Sequence, residues 1–266
     1  MKLTEFTENG ITLKYYFQKS TNENCNTLIV VPANSMEKEN SLNFVFNLSK
    51  LKNTHKLYIA ASGCQHGLYL MKNGTDAPQL TMEALIEKYR LENDIDSDMV
   101  YMLGFCASSY ACVQIAVSKG YNAVVTAFSY GGDWLLQPTD TKEKREYIAK
   151  LNAKRAKEGN FSAEEWIKMV AEYIGTDDYW AVTKNYLEAI YASPLRSKLS
   201  MPQIYLFNGE NDEGYIYCGG KSTIETLRRL GMKLEVLISS ENFTHLEMVP
   251  YFIKYFLALF EELGIN

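Results

Sequence analysis

Met99-Val100-Tyr101-Met102-Leu103-Gly104-Phe105-Cys106-Ala107-Ser108-Ser109-Tyr110-Ala111 is the stretch on which the reading of this 266-residue chain turns. An apolar run ends at a glycine, a cysteine follows two residues later, and small residues then open a helical pattern. That is the layout of a nucleophile elbow, in which a strand, a sharp turn and a helix lift one side chain above the end of a parallel sheet. Small neighbours are required because the turn is tight and the helix passes close to the strand. The raised position holds Cys106, and a thiol presented in this way implies an enzyme working by acyl transfer. A shifted register would raise Ser108 instead. That shift puts Tyr110 where the turn needs a small residue, so Cys106 is the preferred nucleophile.

Outward from the elbow the chain alternates strands and helices. Residues 2–7 and 11–18 alternate apolar and polar about Glu8-Asn9-Gly10, a hairpin turn signal. The run 26–31 reads as a buried strand that stops at Pro32, followed by a helix over 40–51 and a strand over 55–61. After a loop over 62–79, a helix opens at Thr81 and ends near Asn93. The elbow strand 99–105, a helix over 108–119 and a strand over 123–129 follow. Later come a strand at 203–207, a helix at 221–230, a strand at 233–238 and an amphipathic helix over 247–262. A hairpin followed by such alternation predicts an α/β fold: a mostly parallel central sheet with helices on both faces.

One segment breaks the alternation. Residues 134–195 carry no strand signal, and 142–158 is dense in charge and in strong helix formers. The chain therefore divides into a core made of 1–133 and 196–266 and a helical insertion over 134–195. Ligands of open α/β sheets bind at the carboxyl ends of the strands, so the insertion is expected to form a lid there. The alternative is that it packs on a subunit partner in a homodimer.

Composition narrows the partners. Net charge is −5 with no basic tract, so nucleic acid is not expected as a partner. The start of the chain lacks the pattern of a signal peptide, and no apolar run is long enough to span a membrane. Five cysteines without a CxxC pair or metal-ligand spacing argue against disulfides and zinc, and place the chain in a reducing cytoplasm. No cofactor or metal is expected. The 19 tyrosines suit pocket walls as well as strand packing.

The order of elements and the elbow resemble the α/β-hydrolase superfamily over nearly the whole chain. Within it, Gly104-Phe105-Cys106-Ala107-Ser108-Ser109 is similar to the G-x-C-x-G-G elbow of dienelactone-hydrolase-like enzymes, departing from it at Ser108 and Ser109. The resemblance implies a base and an acid in fixed chain order. Asp212, in Gly209-Glu210-Asn211-Asp212 after the 203–207 strand, matches the acid position; Glu210, Glu213 and Asp133 are competitors. His245, one of three histidines, follows the last strand and matches the base. Cys106, His245 and Asp212 then form the expected triad. The oxyanion donors implied are the N–H of Ala107 and one from Ala33 or Asn34. His66, in the loop after the fourth strand, and Trp134, after the sixth, are candidate substrate contacts, although His66 reads equally as a surface-turn residue. His55 precedes a strand at the opposite edge and reads as structural.

These readings lead to hydrolysis of an ester, thioester or related acyl bond through an acyl-Cys intermediate. A thioester intermediate can also be intercepted by a hydroxyl. The elbow and Gly67-Leu68-Tyr69-Leu70 resemble bacterial glycan O-acetyltransferases of this fold, so transfer to a glycan or small molecule is the alternative. A non-catalytic binding protein on the same scaffold is the third reading.

Overall fold

A computed structural model of the chain describes residues 2–33, 47–60, 77–105, 108–127, 142–157, 202–212, 224–225, 228, 231–243 and 247–265. Strands Thr4–Glu8 (β1) and Ile11–Gln18 (β2) pair as an antiparallel hairpin. Asn9 and Gly10 both take positive φ, 50° and 73°, as a two-residue turn matched to the twist of a hairpin requires. Leu28–Ala33 (β3), His55–Ala60 (β4), Val100–Phe105 (β5), Ala123–Ala127 (β6), Gln203–Gly209 (β7) and Lys233–Ser239 (β8) complete an eight-stranded sheet in the order β1-β2-β4-β3-β5-β6-β7-β8. Only the β1–β2 and β2–β4 pairings are antiparallel; the other five are parallel.

The described helices are Ala77–Glu92 (α1), Ser108–Lys119 (α2), Lys142–Lys157 (α3) and Val249–Glu262 (α4). Alternate residues of each strand feed two apolar layers. Leu28, Val30, Leu57, Val100, Met102, Val124 and Leu206 pack with α1 and α2. Ile29, Tyr58, Tyr101, Leu103, Val125 and Phe207 pack with α4 on the other face. From α4, Val249, Phe252, Ile253, Phe256, Leu259 and Phe260 are buried, a stripe at helical spacing. Each such side chain contributes roughly 1.5–3 kcal/mol on burial. The outermost strand β8 instead alternates with solvent: Lys233 and Glu235 point charge outward along an edge that a foreign strand would otherwise find open.

Among the boundaries that differ from expectation, three stand out. β3 does not stop at Pro32 but runs to Ala33. Its pairing with β5 has already ended at Val30, so the missing proline N–H falls where β3 is paired with β4 alone. α1 begins at Ala77, four residues before Thr81, with Pro78 in its first turn, where a proline needs no donor. β7 continues two residues past Phe207, to Gly209. Of the helices expected over 40–51 and 221–230, residues 47–51, Ile224, Glu225 and Arg228 lie among the described residues; Asn47, Leu48, Ile224, Glu225 and Arg228 are helical, whereas 49–51 have already left the helix in a turn. Within residues 134–195 the described part is α3, where helix was expected.

Candidate active site

The chain passes from β3 to β4 on one side and then returns to β5 on the other. Connections leaving the carboxyl ends of β3 and β5 therefore diverge, and open α/β sheets bind their ligands in the crevice so formed. The elbow ends β5 at that point. Gly104 is needed there because α2 lies directly against it. A Cβ on Gly104 would meet Ser109 Cα at 2.6 Å, Ser109 N at 3.0 Å and Cys112 Sγ at 3.0 Å. Cys112 is fully buried among apolar neighbours, which pushes its thiol far above the usual range; it is a packing residue.

Ser108 plays a different part from the one its position suggests. Its side chain is buried, and its Oγ accepts the Phe105 backbone N–H at 2.9 Å and donates to the Phe105 carbonyl at 2.9 Å. A hydroxyl committed in this way braces the turn and is not presented for attack, which removes Ser108 as a rival nucleophile. It also accounts for the departure from glycine: the Ser108 side chain carries a hydroxyl that bonds both backbone groups of Phe105. Cys106 and Ala107, between Phe105 and Ser108, lie outside the described residues, as do Asn34, His66, Asp133, Trp134, Glu213 and His245. Ala33, expected in the loop after β3, is instead its last residue and pairs with Ala60.

Three residues past the end of β7, Asp212 is 0% exposed, and its N–H donates to the Gly209 carbonyl at 3.3 Å. Glu210 is exposed, and its N–H donates to the Ser239 carbonyl at 2.7 Å, carrying the β7–β8 ladder past the strands. Burial thus separates the two acids. A carboxylate held away from water suits a partner to a histidine, and one facing solvent does not.

Sequence reading missed the clamp that joins the β7 and β8 loops. Phe243 lies two residues before His245 and is 4% exposed. Its ring covers Gly209 so closely that a Cβ there would overlap Cε2 and come within 2.9 Å of Cδ2 and 3.0 Å of Cζ. Tyr251 of α4 stacks on the same ring at 4.6 Å. The Tyr251 hydroxyl is bonded to Glu241, which pushes its pKa up and ties α4 back to this loop. The only sequence signal was an aromatic shortly before the histidine and a glycine three residues before the acid. Neither reveals that the two touch.

A second set of buried ionisable residues lies at the opposite ends of the strands. His55 opens β4, is 3% exposed, and accepts the Ser20 N–H at Nδ1 while its Nε2 faces the Cys25 carbonyl, each at 3.3 Å. Burial lowers its pKa, and protonation would forfeit the bond from Ser20. This agrees with a structural role for His55. Beside it, the Lys56 ammonium is buried against the carbonyls of Leu51 and Thr54. Desolvation lowers its pKa from 10.5 to about 8. Below pH 8 folded and unfolded chains both carry the proton; above it the folded chain sheds it first, so stability rises with pH. The Lys56 contribution is expected to add about 2–3 kcal/mol between pH 8 and pH 10. Chemical unfolding of the wild type against Lys56→Met across that range reads it directly, and a pH-independent difference would disprove it.

Among the described residues, no helix is long and apolar enough to cross a membrane, and no group of three metal-ligating side chains converges. No protein-family model matches the chain, and no curated protein matches it in sequence. Solved structures do. The capsule O-acetyltransferase of Neisseria meningitidis serogroup A superposes with a TM-score of 0.63 at 14% identity, covering 97% of this chain and 94% of that one. Mouse alpha/beta hydrolase domain-containing protein 10 gives 0.59 at 13% identity, over 99% and 100% of the two chains. A chain of the glycosylation-associated Gap123 complex from Streptococcus agalactiae gives 0.62 at 10% identity over 97% of this chain, which spans 46% of that longer one. Sheet order and neighbours agree: the chain has the α/β-hydrolase fold.

Proposed function

We propose that this protein cleaves or transfers an acyl group through a covalent intermediate on Cys106, with His245 as base and Asp212 as its orienting acid. The observation that carries the reading is the placement of Asp212. It is fully buried just beyond β7, in a loop clamped by Phe243 to the loop that leads to His245, at the sheet edge where the elbow ends β5. In the proposed reaction His245 takes the Cys106 thiol proton as sulfur attacks the acyl carbonyl. The oxyanion is held by the Ala107 N–H and a donor from Ala33 or Asn34. Collapse of the tetrahedral species breaks the bond to the leaving group, which receives the proton from His245 and leaves an acyl-Cys thioester. Water, activated by His245, then releases the acid and restores the thiol.

Transfer in place of hydrolysis is the second reading. It is favoured by the full-length likeness to a capsule O-acetyltransferase and by the likeness to a chain of a glycosylation-associated complex. A glycan or small-molecule hydroxyl would then replace water in the second step. His66 and Trp134 are proposed substrate contacts, and the 134–195 insertion is the proposed lid.

An activated acyl ester, with mass spectrometry of the trapped adduct, tests both readings. Labelling is expected at Cys106 and lost in Cys106→Ala. Asp212→Asn is expected to slow it by roughly 10²–10⁴-fold, the scale of a disturbed acid–base pair, whereas the exposed Glu210→Gln is not. Labelling elsewhere, or none across acyl chain lengths, would defeat the enzyme reading. Slow turnover in water with fast turnover on an added sugar would select transfer.

A further inference from the structure

Buried polar side chains gather at the carboxyl ends of three neighbouring strands: Ser108 and Ser109 after β5, Thr126 on β6, Asn208 on β7 and Asp212 beyond it. Two of these stand apart. Thr126 Oγ1 and both amide atoms of Asn208 have no hydrogen-bond partner among the described residues, although both residues are 0% exposed. A buried polar group left unsatisfied forfeits its hydration with no bond in return.

Register places them together. Thr126 is paired with Gly104 of the elbow on one side and with Leu206 on the other, and Asn208 is two residues beyond Leu206. Strand alternation puts both on the face covered by α2. A strand spacing of about 4.8 Å and a two-residue rise of about 6.6 Å set their Cα atoms roughly 8 Å apart. Side chains this short then leave a gap too wide for a direct hydrogen bond and matched to a single bridging molecule. Hydroxyl and carboxamide are both neutral, and each can donate and accept. That donor set suits water, which needs two to four polar partners, better than a cation or an anion.

We propose that Thr126 and Asn208 together hold one internal water beneath the elbow, and that this bridge positions the end of β7 from which Asp212 is presented. Asn208 immediately precedes Gly209, whose carbonyl receives the Asp212 N–H and whose open face seats Phe243. A shift of Asn208 therefore moves the acid loop and the loop clamped to it. Both are positioning residues. The positioning claim rests on the proposed Cys106 chemistry; the water bridge does not.

Thermal unfolding of Thr126→Val, Asn208→Leu and the double variant tests the bridge. Each single change is expected to lower Tm, and the double variant to fall no further than the worse single, since either change already breaks the shared bridge. A raised Tm in a single variant, or losses that add, would overturn it, because near-isosteric apolar replacement of an unbridged buried group is neutral or stabilising. A crystal structure of the unmodified protein gives a reading that needs no variant to fold. A water within hydrogen-bond distance of Thr126 Oγ1 and an Asn208 amide atom is expected; a chain segment in that place overturns the bridge. The pH profile of Cys106 acylation reads the positioning. Asn208→Leu is expected to move it downward by about one pH unit, because an Asp212 carboxylate drawn away no longer favours the protonated imidazole of the proposed base, whereas Thr126→Ser, which keeps the hydroxyl, leaves it in place. An unmoved profile in Asn208→Leu overturns the positioning role. Absence of acylation in the unmodified protein defeats that role together with the proposed function, while the Tm comparison still decides the bridge.

Discussion

Gly104→Ala is expected to destabilise the protein by about 3 kcal/mol or more and to cut Cys106 acylation at least tenfold, out of all proportion to one added methyl group. The new Cβ would lie 2.6 Å from Ser109 Cα and 3.0 Å from Ser109 N. These are backbone atoms in the first turn of α2, so no side-chain rotation relieves the overlap and the helix itself must move away. That movement strains the Ser108 brace, whose two hydrogen bonds of 2.9 Å join the start of α2 to the end of β5. Cys106 lies between the two ends of that brace. Urea unfolding followed through the transition, paired with the rate of acyl-ester labelling, measures both effects. A Gly104→Ala protein as stable and as reactive as the parent would show that α2 does not need its close approach to β5.

Gly209→Ala should separate stability from reactivity. The added Cβ meets the Phe243 ring, a side chain that can in principle move, but the ring is 4% exposed and stacked against Tyr251. Displacing it costs about 1–3 kcal/mol, the scale of overpacking in a filled core. The larger effect is expected in acylation. Phe243 anchors the loop leading to His245, and an ångström of displacement in a catalytic group can cost on the order of 100-fold in rate. Phe243→Leu removes the ring that is struck. The pair Gly209→Ala and Phe243→Leu should therefore lose less stability together than the sum of their separate losses. Strict additivity would show that the two residues do not form the clamp.

The two substitutions mark the difference between local and tertiary information. Strands and helices were readable because each has a period that the chain must honour to bury one face. Asn9-Gly10 named its hairpin because few residues tolerate positive φ twice in succession. The close passage from β5 into α2 was readable because Gly104 and the small Ser108 and Ser109 answer a local steric demand. Boundaries failed where a neighbour decided them. Pro32 stays in β3 because β5 no longer pairs there, a fact held in another strand.

The candidate site divides along the same line. Residue types, chain order and the family resemblance singled out Cys106, Asp212 and His245 as the proposed nucleophile, acid and base, placed in sequence after β5, β7 and β8. Nothing in Glu210-Asn211-Asp212 says which acid is buried; the turn after β7 decides that by withdrawing Asp212 and leaving Glu210 in water. Nor could the sequence show that the Ser108 hydroxyl is taken up by Phe105, that Phe243 rests on Gly209, or that Thr126 and Asn208 share one buried face. Periodicity and turn chemistry act over a few residues and are written in the chain. Burial, hydrogen-bond commitment and close approach, whether between Ser108 and Phe105 or between Gly209 and Phe243, come into being only when the sheet closes and its helices pack.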